Sequence, residues 1–383
     1  MIELVVVHSE DPETGPATAE LVERARAKVG GAAVRAAVLF AGIDHDHAAA
    51  VGAIVDAFPG VQLIGCTTDG EVSSESGFCE DSLLLLLFVG DGFEASAGLG
   101  RGVDVDLAGA ARRAVADARA GLTQAPRLCL TTPESLTCDA VSLLEQLRGQ
   151  VGLDVPVCGG IAGDSWRFKR CLQFCGREVT SDAVPVLLLA GDFKLSYGVA
   201  SGWTPLATES TVTEVKGNVV ARIGDRSAIE YYQQLLGQHV LPSGEFPLAV
   251  LDEHGGFYLR APVGYDLERG SVIFAGSVPA GARVQITAAN RDQIVDATRQ
   301  SIARAIEDYP GERPSGALVV SCAARKQLLG TRTADEHASL QRSALGGLPF
   351  AGFYAYGEIC PTRAGEAPVF HNETFVTVVF GAR

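Results

Sequence analysis

The chain has 383 residues, 47% hydrophobic and 20% charged, with a formal net charge of −15. That balance belongs to a folded globular protein and excludes a disordered one. The acidity argues against nucleic acid and anionic membrane as partners, because both require a basic face. No apolar run approaches the roughly 20 residues that a membrane helix needs. The start, Met1 to His8, lacks the basic and long apolar character of a secretory signal. Nine cysteines without a C-x-x-C spacing read as small buried residues in a reducing compartment, so the cytoplasm is the expected location.

Helical spacing of Ala, Leu and Val predicts a first helix over 18–29, closed by Gly30 and Gly31. A buried strand follows over 36–40, then a helix over 48–58 stopped by Pro59-Gly60, and a strand over 63–66. The order repeats as strand 93–99, helix 107–120, strand 127–131, helix 139–147 and strand 155–158. Between residues 199 and 218, alternating Thr and Val with Gly202, Trp203 and Pro205 suggest a strand pair leading into a helix over 226–236. Residues 247–251 and 256–259 read as a β-hairpin, and as a candidate for a fourth, worn copy of the unit. The order then returns as strand 283–287, helix 292–307, strand 318–322, helix 335–345 and strand 350–352. The expected fold is α/β, built from repeated strand–helix–strand units that form sheets flanked by helices. A boundary near residue 222 would divide it into 1–222 and 223–383.

One motif recurs. Gly65-Cys66-Thr67-Thr68-Asp69-Gly70-Glu71 has the form G-x4-G-E, and Gly352-Phe353-Tyr354-Ala355-Tyr356-Gly357-Glu358 repeats it. Gly159-Gly160-Ile161-Ala162-Gly163-Asp164 is a version one residue shorter. Such recurrence means one structural unit used several times, with similar turns at strand ends. Glycine allows sharp turns and close approach of backbone to a ligand. The carboxylates of Glu71, Asp164 and Glu358 either cap loop backbone or meet a ligand amine.

Other chemistry is sparse. There is no P-loop, and Gly98-Leu99-Gly100-Arg101-Gly102 lacks the dinucleotide spacing and reads as a turn. There is no G-x-S-x-G elbow. Cys322 precedes Arg325 and Lys326, which could activate a thiol, against the plainer reading of a small strand-end residue. His45-Asp46-His47 could chelate a metal, but it fits a helix cap better. Arg260 could grip a ligand carboxylate or pair with an acid. His371, beside Asn372 and Glu373, is the histidine best held by its surroundings.

Taken together, these residues resemble the FIST sensory domain family along nearly the whole chain. The N-terminal pattern is carried by Leu63 to Glu71 and by Gly159, Gly163 and Asp164. The C-terminal pattern is similar to Tyr258 to Pro262, Ser321 to Arg332, Leu348 to Ile359 and Phe370 to Thr374. The resemblance implies an intracellular sensor of bacterial signal transduction that binds a small, amino-acid-like molecule and is not an enzyme. It also implies a separate partner, a histidine kinase or a cyclic-dinucleotide enzyme, and some stand-alone relatives are haem-binding nitric-oxide sensors. The expected ligand-binding set is Gly65, Thr67, Gly70, Glu71, Gly159, Asp164, Arg260, Cys322, Arg325, Tyr356 and Glu358. The haem alternative takes His371 as first axial candidate and His254 as second. A third reading is an enzyme with a reactive Cys322. A homodimer is compatible with all three.

Overall fold

The computed structural model of the chain describes residues 2–206, 208–252 and 256–382. Its first unit runs β1 (Glu3–Ser9), α1 (Thr14–Val29), β2 (Val34–Ala41), α2 (His47–Ala57) and β3 (Gln62–Thr67). A hairpin follows, β4 (Glu71–Ser73) and β5 (Gly77–Cys79), and β6 (Leu83–Val89) closes the unit. The second unit repeats this as β7 (Phe93–Arg101), α3 (Leu107–Ala120), β8 (Pro126–Thr131), α4 (Ala140–Val151) and β9 (Val157–Gly160). Its hairpin is β10 (Gln173–Cys175) and β11 (Glu178–Thr180), and its last strand is β12 (Ala183–Gly191).

The third unit begins with β13 (Lys194–Ala200) and is then interrupted. The insert contains β14 (Thr204–Pro205), β15 (Ser210–Lys216), β16 (Val219–Ile223), β17 (Arg226–Ser227) and α5 (Ala228–Leu236). It continues with β18 (Leu248–Leu251), β19 (Phe257–Arg260), β20 (Pro262–Asp266), β21 (Ser271–Phe274) and β22 (Arg283–Ala288). The unit resumes with α6 (Arg291–Glu307), β23 (Pro314–Cys322), α7 (Ala323–Leu329), α8 (Thr333–Arg342) and β24 (Phe350–Ala355). The hairpin β25 (Glu358–Pro361) and β26 (Pro368–His371) precedes β27 (Phe375–Gly381).

Each unit contributes one parallel pair joined by a helical crossover: β2 with β3, β8 with β9, and β23 with β24. No unit completes its own sheet. The sheet orders are β1-β6-β2-β3-β10-β11, β7-β12-β8-β9-β25-β26 and β13-β27-β23-β24-β4-β5. The second unit's hairpin therefore finishes the first sheet, the third unit's finishes the second, and the first unit's finishes the third. The insert is different. Its described pairings are all antiparallel, so the region is no fourth copy of the unit, although β18 and β19 do form the expected hairpin.

The three sheets bury both faces, which accounts for their unbroken apolar strands. In β6, Leu84, Leu86 and Phe88 enter a core shared with Leu187 and Leu189 of the second sheet and Val376, Val378 and Phe380 of the third. The alternate residues Leu83, Leu85 and Leu87 pack beneath α1 and α2 with Leu21, Val51 and Ile54. The start of α2 is capped as the sequence suggests. Asp46 Oδ1 accepts from Ala49 N at 3.1 Å, so the His45-Asp46-His47 segment opens α2.

The first glycine of each recurring motif has a packing role. A Cβ at Gly65, Gly159 or Gly352 would overlap the carbonyl oxygen of Leu39, Thr131 or Val319 in the adjoining parallel strand. Gly98 and Gly100 likewise seat α3, a Cβ there overlapping the carbonyls of Ala114 and Ala110. We expect Gly352→Ala to lower unfolding free energy by about 1–3 kcal/mol through overpacking. Gly149→Ala, on an exposed helix surface with nothing within 4 Å, should raise it by about 0.5–1 kcal/mol. Urea denaturation of both variants measures the contrast.

Candidate functional site

The three motif turns meet. Gly163 N donates to Thr67 O at 2.9 Å, joining the second turn to the first. Asp69 N donates to Tyr354 O at 3.0 Å and Tyr354 N to Gly70 O at 2.9 Å, joining the first to the third. Ile161 N donates to Gly357 O at 2.9 Å and closes the triangle. Thr67 adds a side-chain tie, its Oγ1 accepting from Leu172 N at 3.0 Å. Gly70 has φ 116° and a Cβ there would meet the Phe78 ring at 2.7 Å, so glycine is required on both counts.

A cleft lies over this junction, with the insert as its far wall. One cavity of about 520 Å³ is lined by Trp166, Phe168 and Tyr356 from the turn side and by Cys322, Ala323 and Ala324 at the start of α7. Residues 242–245 and 261–265 of the insert face them. A neighbouring cavity of about 600 Å³ shares Phe168, Val263, Ala275 and Tyr356 and runs on to Ser135–Ala140. Both sizes suit a small ligand. Phe168 stacks on Tyr356 at 5.0 Å between the two and is 52% exposed.

Asp164 builds this aromatic rim. Its carboxylate accepts from the backbone N–H groups of Phe168, Lys169 and Arg170 at 2.7–3.0 Å and from the Tyr356 hydroxyl at 2.7 Å. Burial opposes its charge, but these donors outweigh it and hold the carboxyl below its ordinary range. The same bonds hold Ser165, Trp166 and Phe168 at positive φ (57°, 60° and 49°), an uncommon conformation for large side chains.

Arg260 and Arg325 do not reach the cleft. Arg260 is buried under the insert, donating to Ser277, Leu259 and Phe370 carbonyls at 3.0 Å each, with its guanidinium 4.4 Å from the Tyr258 ring centroid. Burial lowers its pKa to about 10. Arg325 is 0% exposed and forms an ion pair with Glu336 at 2.6 Å. It also donates to Ser201 O, Ile294 O, Thr298 Oγ1 and Ser321 Oγ at 2.9–3.2 Å. Glu336 is saturated in turn by Thr298, Ser321 and Tyr354.

The hairpin strands β4, β10 and β25 begin at equivalent positions with Glu71, Gln173 and Glu358. Glu71 is fully satisfied, its two oxygens accepting from the Thr68 and Ser82 hydroxyls. Gln173 is satisfied by Glu134 at 3.2 Å and Ala183 N at 3.3 Å. Glu358 Oε2 accepts from Thr374 N at 3.1 Å and Thr374 Oγ1 at 2.7 Å, but its Oε1 has no partner. Burial raises the pKa of Glu71 to about 7 and of Glu358 to about 8. Burial also pushes the Cys322 thiol well above its ordinary range, with Glu358 and Glu373 adding to the shift. That environment opposes a thiolate.

His371 lies elsewhere. It borders a separate cavity of about 480 Å³ walled in part by Gln293, Asp296, Gln300 and Arg304, and its Nε2 meets Cys360 O at 2.9 Å. Burial lowers its pKa to about 4. His254 lies outside the described residues. Among the described residues the candidate histidine and the largely apolar cleft are in different places.

Several residues at the cleft went unmarked by sequence reasoning. Trp166 and Phe168 were detectable as aromatics in an otherwise polar loop after the short motif. Asp69 is buried against Lys326, Nζ to Oδ2 3.1 Å, and burial raises its pKa to about 6 although Lys326 opposes the shift. Glu373, quoted only as a neighbour of His371, is buried with both oxygens unpartnered.

The FIST N domain matches residues 35–226 and the FIST C domain residues 228–361. The chain belongs to the FIST family. FIST domains are associated with sensing in signal transduction. An uncharacterized Mycobacterium tuberculosis protein is 27% identical over 377 residues, covering 93% of this chain and 94% of its own. An uncharacterized Mycobacterium bovis protein is 26% identical over 374 residues, covering 93% of each. An uncharacterized Methanocaldococcus jannaschii protein is 24% identical over 227 residues, 56% of this chain and 43% of its own. The crystal structure of a cyanuric acid hydrolase from A. caulinodans covers 100% of both chains at 11% identity and a TM-score of 0.36. Among the described residues of this FIST protein, no helix is long and apolar enough to cross a membrane.

Two predictions follow from the buried charges. Arg325→Met should cost about 3–5 kcal/mol, because it leaves Glu336 buried without its counter-charge; chemical denaturation checks this. Glu358, Glu71 and Asp69 have folded pKa values raised to about 8, 7 and 6, so their contribution is present at low pH and lost as pH rises through those values. His8 and His371, lowered to about 4, work in the opposite sense below their unfolded pKa near 6.5. Melting temperature should therefore fall between about pH 6.5 and 8.5, and less so in Glu71→Gln.

Proposed function

We propose that this FIST protein is a sensory, non-catalytic ligand-binding protein whose small-molecule ligand sits in the cleft between the junction of the three turns and the insert. The observation that carries this reading is the position of the cleft. Its walls come from all three kinds of neighbour: the aromatic rim set by Asp164, the start of α7 beside Cys322, and the insert strand carrying Ala261 to Tyr265. A ligand there contacts the three-unit body and the insert at once. Binding would favour one placement of the insert over others, which is what a signal requires. Of the residues first singled out, Cys322 and Tyr356 line the cleft, with Asp164 supporting the rim. The others, Glu358 apart, act as scaffold in this reading.

The ligand we propose is amino-acid-like: an apolar or aromatic body for the rim and a polar head for the interior. The signal passes to a separate partner, a histidine kinase or a cyclic-dinucleotide enzyme. The alternative of haem-based nitric-oxide sensing is disfavoured by the separation of His371 from the cleft.

The test is a thermal-shift screen of the amino acids and their decarboxylated and deaminated analogues. Val263 lines the cleft and is 59% exposed, so Val263→Trp should fill the opening and leave the fold intact. A ligand at 100 times its Kd stabilises by about 2.7 kcal/mol, and that shift should disappear in the variant. A hit that stabilises Val263→Trp equally, or a Soret band on haemin titration that is lost in His371→Ala, would overturn this reading.

A further inference from the structure

The three units share a corner before their last strands. Asp81, Asp182 and Glu373 occupy it with φ of 51°, 55° and 58°. The residue after each accepts a backbone bond from the end of the unit's first parallel strand or the loop just beyond it: Gly42 N to Ser82 O, Glu134 N to Ala183 O, and Cys322 N to Thr374 O, at 2.9–3.1 Å. That same following residue bonds the residue opening the hairpin, Glu71, Gln173 or Glu358. The corner thus recurs in all three units.

The side chains are not. Asp81 is exposed and Asp182 half-buried, where water satisfies a carboxylate. Glu373 is 0% exposed, and neither of its oxygens has a partner. Together with Glu358 Oε1, the third corner holds three carboxylate oxygens out of water without an N–H or O–H donor, and only the weak Cys322 thiol adds a donor at Glu358, while Glu71 and Gln173 in the other copies are satisfied. Unpaired buried oxygens carry a large desolvation cost, and such departures from local consistency are expected where a site needs them.

The third corner also adjoins the cleft. Cys322 and Asn372, on either side of it, line the cavity, as do Gly244 and Ala324. A Cβ at Gly244 would stand 3.2 Å from Glu373 Oε1 and 3.6 Å from Ala324 Cβ. Glycine at that position keeps a side chain off the approach to the carboxylate. Resting on the reading that the cleft holds a small molecule, we propose that Glu373 and Glu358 receive the cationic amine head of that ligand, through the opening at Gly244.

The chemistry favours an ammonium group. Its three donors match the three bare oxygens, and its positive charge would draw both carboxyls, whose pKa burial raises in the empty site, into the ionised form in a way a neutral hydroxyl does not. Among the described residues no group of three or more His, Cys, Asp or Glu is arranged to hold a metal ion. The apolar body of the ligand would then run outward toward Trp166, Phe168 and Tyr356.

The experiment compares phenethylamine and n-butylamine with 2-phenylethanol and n-butanol, in thermal shift and calorimetry on the full chain. The amines should stabilise the protein, and each alcohol should bind at least ten-fold more weakly. Glu373→Gln and Glu358→Gln, which keep shape and remove charge, should each weaken amine binding at least ten-fold. Gly244→Val, which keeps both carboxylates and narrows the approach, should do the same if either glutamate variant misfolds. Asp81→Asn, the equivalent corner of the first unit, should leave amine binding unchanged. Equal shifts from amines and alcohols, or full amine binding in Glu373→Gln and Gly244→Val, would overturn the proposal. If acidic or neutral compounds bind and Val263→Trp blocks them while no amine does, the cleft reading stands and the amine assignment falls.

Discussion

The structure depends on an exchange. Each six-stranded sheet ends in a hairpin supplied by another unit, in a closed cycle of three. A parallel pair with an exposed edge would leave a row of unpaired N–H and C=O groups. Here that edge is covered by a neighbour's hairpin, and the chain leading to each hairpin must leave its own sheet and cross to the next. The crossings are the glycine turns. Three segments of the chain changing sheets at one end of a shared core must pass close to one another. That is why Gly163, Asp69, Tyr354 and Ile161 bond between turns and not within them.

From this constraint the cleft follows. The turns bring aromatic and acidic side chains of three units to one end of the core, and the insert, leaving the third unit after β13, lies against them. Asp164 shows how tightly the local chemistry is fixed. Its carboxylate gathers three amides and a tyrosine hydroxyl, so the rim aromatics are held in place before any ligand arrives, and the entropy of ordering them is met in folding.

Much of this was legible. Apolar periodicity located the principal helices, α3 to the residue and α6 within one, because each has a two-sided environment that imposes its period. The glycine motif declared the repeat. Its first glycine turned out to answer a local steric demand, the carbonyl of the adjoining parallel strand, as structural repeats do. The hairpin exchange was not legible. Strands of three residues such as β4 and β10 carry too little pattern, and pairing across a hundred residues leaves no local trace. Arg325 and Arg260 misled for a related reason. A guanidinium that will be surrounded by carbonyls reads, in sequence, like one that awaits a ligand. Glu373 was hidden for the opposite reason, since nothing in His371-Asn372-Glu373-Thr374 tells that the insert will cover it.

The point of entry of the insert has a further consequence. The first two units join their opening strand to the next helix by short loops, Ser9 to Thr14 and Arg101 to Leu107; the third unit carries the whole antiparallel module at that connection. The module has its own core, with Val212, Tyr232, Val250 and Phe274 among its members, so its outer strands can vary without disturbing the sheets beneath. Evolution could then retune what the cleft accepts by exchanging one cassette while the three-unit chassis and its junction stay as they are.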